Sequence, residues 1–175
     1  MKTNFLLRVS LLILLLFPLT ILHSWGWTGR NVLEINIVSS DTVLVESELM
    51  PLSQIKDKVK QFISKPENDW INAEYYEHEV ELLGEVRVSK GIVSVQCSRT
   101  VDYAFFIAVN NEIEKAYSEM RNEFALQQFQ KSYKALDLQR QRIVNECIPK
   151  RISEAEPKYI VSNGNLVRNG FGYYF

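Results

Sequence analysis

Phe106, Val109, Ile113, Ala116, Tyr117, Met120 and Phe124 recur at helical spacing, a stripe too long and too apolar to leave in water. It predicts a long helix starting after Thr100 or Asp102, either of which suits an N-cap, with Glu112, Glu119 and Arg121 on its wet face. The stripe needs a surface to pack on, and β-branched segments supply one. Residues 33–38 and 42–45 flank Ser39-Ser40-Asp41 and read as a hairpin. Residues 92–97 read as a strand with Val93, Val95 and Cys97 facing one way, and 86–90 as a shorter strand.

Two more helices follow from the same spacing argument. Ile55, Val59, Phe62 and Ile63 mark one, capped by Ser53 and ending near Ser64, because Pro66 disfavours helix at the residue before it. Ile143, Val144 and Cys147 mark another, running from Asp137 to just before Pro149. The acidic and aromatic stretch 67–81, with Trp70, Tyr75, Tyr76 and His78, has no clean period and reads as an insertion loop. Beyond Pro157, segments 159–162, 166–168 and 171–175 are separated by Asn163-Gly164 and Asn169-Gly170, each favouring a tight hairpin turn. One final strand joining the sheet, then a frayed tail, is expected there.

The start of the chain bears on its compartment. Lys2 and Arg8 precede an apolar run over 9–22, and Trp25 and Trp27 follow it. That run spans about 21 Å as a helix, and extension to Trp27 brings it to about 28 Å, close to a hydrocarbon core of roughly 30 Å. One reading is an inner-membrane anchor over 9–27 with a short cytoplasmic start at 1–8, the flanking charges setting its orientation and the tryptophans marking the outer interface. The other is a cleaved signal peptide, with Ser24 and Gly26 as the small residues before the cut, which leaves a soluble periplasmic protein. On either reading 31–158 is an exported domain and 159–175 a hairpin-like tail. The fold class expected is α+β: a membrane helix or signal peptide, then a small sheet packed by two or three helices.

Composition excludes several functions. Twenty basic against 21 acidic residues leave no basic stripe for phosphates, so no nucleic-acid role is expected. Two histidines and two cysteines, without CxxC or HxxxH spacing, supply no metal site, and no cofactor is expected. Cys97 and Cys147 either pair, as an oxidising compartment permits, or sit as separate core thiols. Asp102, Tyr103 and His78 offer no nucleophile with an oxyanion donor at a recognisable spacing, so the chain does not read as an enzyme.

Two runs carry a resemblance. SVQCSRTVDY at 94–103, leading into AVNNEI at 108–113 and AYSEMR at 116–121, is similar to the strand, turn and long helix of the ExbD/TolR family of biopolymer-transport proteins, in its Bacteroidetes-type outer domain. IPKRISEAEP at 148–157 resembles a segment near the C-terminus of the same homologues and is the more specific of the two. The resemblance covers 34–157. It implies an accessory or degenerate subunit of a proton-gradient-driven, Ton/Tol-like transport complex, with an ExbB/TolQ-like membrane partner, a TonB/TolA-like partner and a homodimeric outer domain. The family's membrane-helix aspartate is missing, since residues 5–27 contain no Asp or Glu. An intramembrane carboxylate is costly and is kept for proton work. The departure favours an outer module without the motor part, and the alternative function is a stand-alone periplasmic module that binds protein or cell wall without proton coupling. Arg151, Glu154 and Glu156, within the more specific run, are the candidate partner surface.

Overall fold

A computed structural model describes residues 31–64, 73–157, 159–162 and 165–168. It shows an α+β domain built on a five-stranded sheet. β1 (Val32–Ser39) is the central strand, antiparallel to β2 (Thr42–Val45), which in turn pairs with β3 (Glu48–Met50). On its other side β1 pairs in parallel with β6 (Ile92–Cys97), and β6 pairs in parallel with β7 (Ile152–Ala155), giving the order β3-β2-β1-β6-β7.

Parallel neighbours require crossovers, and the two long connections supply them. The first carries α1 (Leu52–Ser64) and the hairpin of β4 (Tyr75–Val80) and β5 (Gly84–Ser89). The second carries α2 (Tyr103–Phe129) and α3 (Leu138–Cys147), joined through a short 3-10 turn at Tyr133–Ala135. Helices α1 and α2 pack side by side on one face of the sheet. Their buried residues Ile55, Val59, Phe62, Val109, Ile113, Ala116, Tyr117 and Met120 meet Leu33, Ile35, Ile37, Val93 and Val95 in one core. Each such aliphatic or aromatic side chain contributes about 1.5–3 kcal/mol of burial.

Charge ties the two helices together on the outside. Lys56 donates to Glu119 at 2.9 Å, and Lys60 donates to Glu119 at 3.1 Å and to Glu123 at 2.7 Å. The hydrogen bonds from Lys56 and then Lys60 hold the Glu119 carboxyl below the usual carboxylate range. Asp102 caps α2, its side chain accepting from the Ala104 amide at 2.9 Å, and Asp137 caps α3 by accepting from Arg140 N at 2.9 Å.

The second face of the sheet is covered as well. β8 (Tyr159–Ser162) and β9 (Asn165–Arg168) form their own antiparallel pair, and β8 lies close to β1. Because β1 already has strands on both sides and helices on one face, the hairpin crosses the remaining face. There Asn36 donates to the Gln96 Oε1 at 2.8 Å, both residues fully buried.

Several expectations are corrected. Among the described residues no helix is long and apolar enough to cross a membrane, so the membrane-helix element of the fold and the single-pass inner-membrane placement are withdrawn. The run at 9–27 itself, with its two tryptophans, lies outside the described residues. The sheet is not solitary, since the β4–β5 and β8–β9 pairs form two further small sheets. The expected insertion loop at 67–81 is a strand from Tyr75 onward. Its alternation is hidden because β4 is half-exposed along most of its length and buries only Val80 fully. Helix α1 starts at Leu52, one residue before the expected Ser53 cap. β6 is not one-sided: Ser94 and Gln96 are buried along with Val93 and Val95, because both faces of the sheet are covered. The strand that joins the sheet late in the chain is β7, ahead of the Asn-Gly turns. Residues 169–175 and Trp70 lie outside the described residues.

At Gly91 the backbone lies close against α1. A Cβ there would stand 2.7 Å from Ile63 Cδ1 and 3.0 Å from both the Ala73 Cβ and Phe62 Cε1. Gly91→Ala is therefore expected to destabilise the domain by about 1–3 kcal/mol through overpacking. Urea unfolding followed by tryptophan-independent circular dichroism checks this, and an unchanged midpoint contradicts it.

Candidate functional site

The run at 148–157 forms the end of α3, a short link and the edge strand β7, and its four charged groups divide into two pairs. Both cations have partners within the domain. Lys150 donates to Glu114 on α2 at 2.6 Å. Arg151 donates to the Ser89 carbonyl and, at 3.3 Å, to the Tyr76 hydroxyl, with its guanidinium 5.9 Å from the Tyr76 ring centre. Arg151, half-buried, thus ties the β4–β5 hairpin to the sheet. The two carboxylates, Glu154 and Glu156, are exposed. Glu154 lies within β7 and Glu156 just past its end, and Arg151 precedes the strand.

β7 has a free side. Val93 N donates to the Arg151 carbonyl at 2.9 Å, so the backbone of Arg151, Ser153 and Ala155 turns toward β6. By alternation the backbone of Ile152 and Glu154 turns outward, and among the described residues no strand lies beside it. Unpaired edge amides and carbonyls are a ready template for another extended chain.

Beside that edge a hollow of about 350 Å³ opens between the ends of β6 and β7 and the first turn of α2. Its walls include Val95, Cys97, Val101, Tyr103, Phe106 and Glu154, with Arg99 on the loop side. Tyr103 is 72% exposed and stacks on Phe106, ring centres 6.1 Å apart. Periodicity placed Phe106 in the core stripe and left Tyr103 out of it. An aromatic residue outside the stripe in the first turn of a long helix was the available signal for an exposed apolar wall.

A second hollow, of about 370 Å³, lies under the β4–β5 hairpin and includes Tyr75, Arg87, Met120, Phe124 and Cys147. It gathers no set of converging nucleophile, base and oxyanion donors. Burial pushes the Tyr75 hydroxyl above its ordinary value and raises the Cys147 thiol to about 11, so neither is primed to ionise near neutrality. His78 instead contacts Glu146 of α3 at 2.8 Å and anchors the hairpin. Among the described residues no group of His, Cys, Asp and Glu is placed to hold a metal.

Cys97 and Cys147 are both free thiols, so of the two readings of these residues the structure takes the unpaired one. Cys97 lines the edge hollow and Cys147 the hairpin hollow.

No family model, no curated protein and no solved structure matches this chain.

Two outcomes follow from this geometry. Arg151→Met removes the hairpin's tie to the sheet. Amide exchange within β4 and β5 is expected to accelerate about tenfold, corresponding to ~1.4 kcal/mol, while α2 keeps its protection. Equal acceleration in both elements would instead mean global destabilisation. Alkylation of unreduced protein in denaturant should label both Cys97 and Cys147, as read by intact mass, and a chain that takes no label before reduction refutes the free-thiol geometry.

Proposed function

We propose that this chain is a stand-alone, exported protein-binding module with no part in proton coupling, and that it takes an extended segment of its partner at the open side of β7. The observation that carries the proposal is the outward-facing backbone of Ile152 and Glu154 on an edge strand with no neighbour among the described residues. Strand addition uses main-chain hydrogen bonds for affinity and side-chain pockets for choice of partner.

Other observations support the parts of this reading. The charged start and short apolar run of residues 1–22 fit a cleaved export leader. The absence of Asp and Glu from residues 5–27 speaks against a proton path through this chain. The two runs that resemble the ExbD/TolR outer domain fall on β6, α2 and β7, adjacent elements that together border the open edge. An outer module of that type, detached from its motor, accounts for the likeness and for the missing carboxylate together. No observation links the chain to an ExbB/TolQ-like or TonB/TolA-like partner.

A photoreactive side chain placed at position 154 in the full chain, expressed in its own cells, tests the proposal. Adducts are expected from position 154 and not from position 57, which is exposed on α1. Dissipating the proton gradient should leave the adduct yield unchanged. No adduct at 154 sinks the binding reading, and a yield that falls with the gradient restores a coupled one.

A further inference from the structure

The open edge and the hollow beside it differ in chemistry, and together they describe what would fit them. Glu154 belongs to both: its backbone faces the free side of β7, and its side chain lines the hollow. Ile152 and Glu154 lie on the same face of the strand as Val93 and Val95, their register partners in β6. A strand added beside β7 therefore places alternate side chains on that face, next to Glu154 and in front of the hollow. The hollow's walls are largely apolar, with Val95, Val101, Tyr103 and Phe106 contributing.

Charge completes the description. Of the run's four charged residues, Arg151 is half-buried and bound to the β4–β5 hairpin, and Lys150, itself exposed, is paired with Glu114, so Glu154 and Glu156 are the run's exposed charges without an ion pair among the described residues. A second copy of the chain paired edge to edge would bring like carboxylates together, which disfavours self-pairing. A basic segment gains opposite-charge pairs at the same positions.

We propose that the edge hollow is an anchor pocket for a basic, extended segment of a partner protein, in which one large apolar side chain enters between Tyr103 and Glu154 and a flanking lysine or arginine pairs with Glu154 or Glu156. The proposal rests on strand addition at β7 and names the partner's chemistry. Tyr103 supplies an exposed aromatic wall, and burying a ring against it is the main source of selectivity. The carboxylates set the sign of the partner and the direction of its salt dependence.

The test uses the full chain and a fluorescent peptide about six residues long, the usual length of a strand. The peptide alternates threonine and valine, with one central phenylalanine and a lysine at each end. Anisotropy titrations compare it with the same peptide carrying alanine at the centre, and with one carrying glutamate in place of both lysines. The phenylalanine peptide is expected to bind at least about tenfold more tightly than the alanine peptide. Tyr103→Ala should remove most of that difference while leaving the alanine peptide unaffected. The glutamate peptide should bind more weakly than the lysine peptide, and E154K should reverse this order. Circular dichroism of each variant confirms that it is folded; Tyr103 and Glu154 are exposed, so neither substitution disturbs the core.

Glu154→Pro separates this proposal from the reading beneath it, because it deletes an outward amide without touching the β6–β7 ladder. If Glu154→Pro abolishes binding but the central residue and the lysines make no difference, the anchor pocket is overturned and strand addition stands. If every peptide binds wild type and Glu154→Pro alike, or none binds, both are overturned.

Discussion

The parallel pairing of β1 with β6 is the contact on which the other elements depend. The pairing runs from Val32 opposite Ile92 to Ile37 opposite Cys97 and sets Leu33, Ile35 and Ile37 level with Val93, Val95 and Cys97. These residues form the floor of the core. Helices α1 and α2 are the covers that a parallel pair requires, and their shared interface is closed from outside by Lys56 and Lys60 on Glu119 and Glu123. Such exposed pairs add little stability each, but they fix the register of one helix against the other. The opposite side of the pairing holds Asn36 and Gln96, joined by one hydrogen bond beside the β8–β9 hairpin, with the Asn36 Oδ1 buried and without a partner among the described residues. A polar pair buried between two layers is costly to misalign, so it penalises any slip of β1 against β6.

From that frame the candidate site follows with little freedom. β7 reaches the sheet after α3 and can pair only with β6, so it ends as an edge strand. Arg151, immediately before it, is drawn to the Ser89 carbonyl and Tyr76 on the β4–β5 hairpin. This half-buries Arg151 and leaves the two carboxylates exposed. The hollow arises where α2 begins: Asp102 caps the helix beside the ends of β6 and β7, and the first turn carries Tyr103 and Phe106 over the gap. The aromatic wall is thus a product of the chain reversal at 98–102, and the edge and its carboxylates of the later pairing of β7 with β6.

Several ionisable groups are held in structural roles. The buried hydroxyl of Tyr117 and the thiols of Cys97 and Cys147 are all shifted upward by burial, which keeps them neutral near physiological pH. The one close histidine–carboxylate contact, His78 with Glu146, joins the hairpin to α3 in place of facing a nucleophile.

The sequence by itself determined the elements whose burial is one-sided or whose ends are chemically marked. The stripe from Val109 to Met120 on α2, the buried residues of α1 and α3, the caps Asp102 and Asp137, and the β1–β2 hairpin are written in local periodicity and side-chain chemistry. The run that holds Arg151, Glu154 and Glu156 was distinctive in the sequence. Tertiary structure alone decided the rest. β4 has no readable alternation, because an accessory hairpin buries only Val80 completely. The β2–β3 turn has no Asn-Gly signal, since Glu46 and Ser47 both take positive φ where the Glu46 side chain, accepting from Glu34 N at 2.8 Å, holds the turn to β1. The inward turn of Arg151 depends on Ser89 and Tyr76, more than sixty residues away along the chain, and no local pattern encodes such a partner. Local propensity is read over a few residues, whereas an open edge, a hollow and a buried polar pair exist only once distant strands have met.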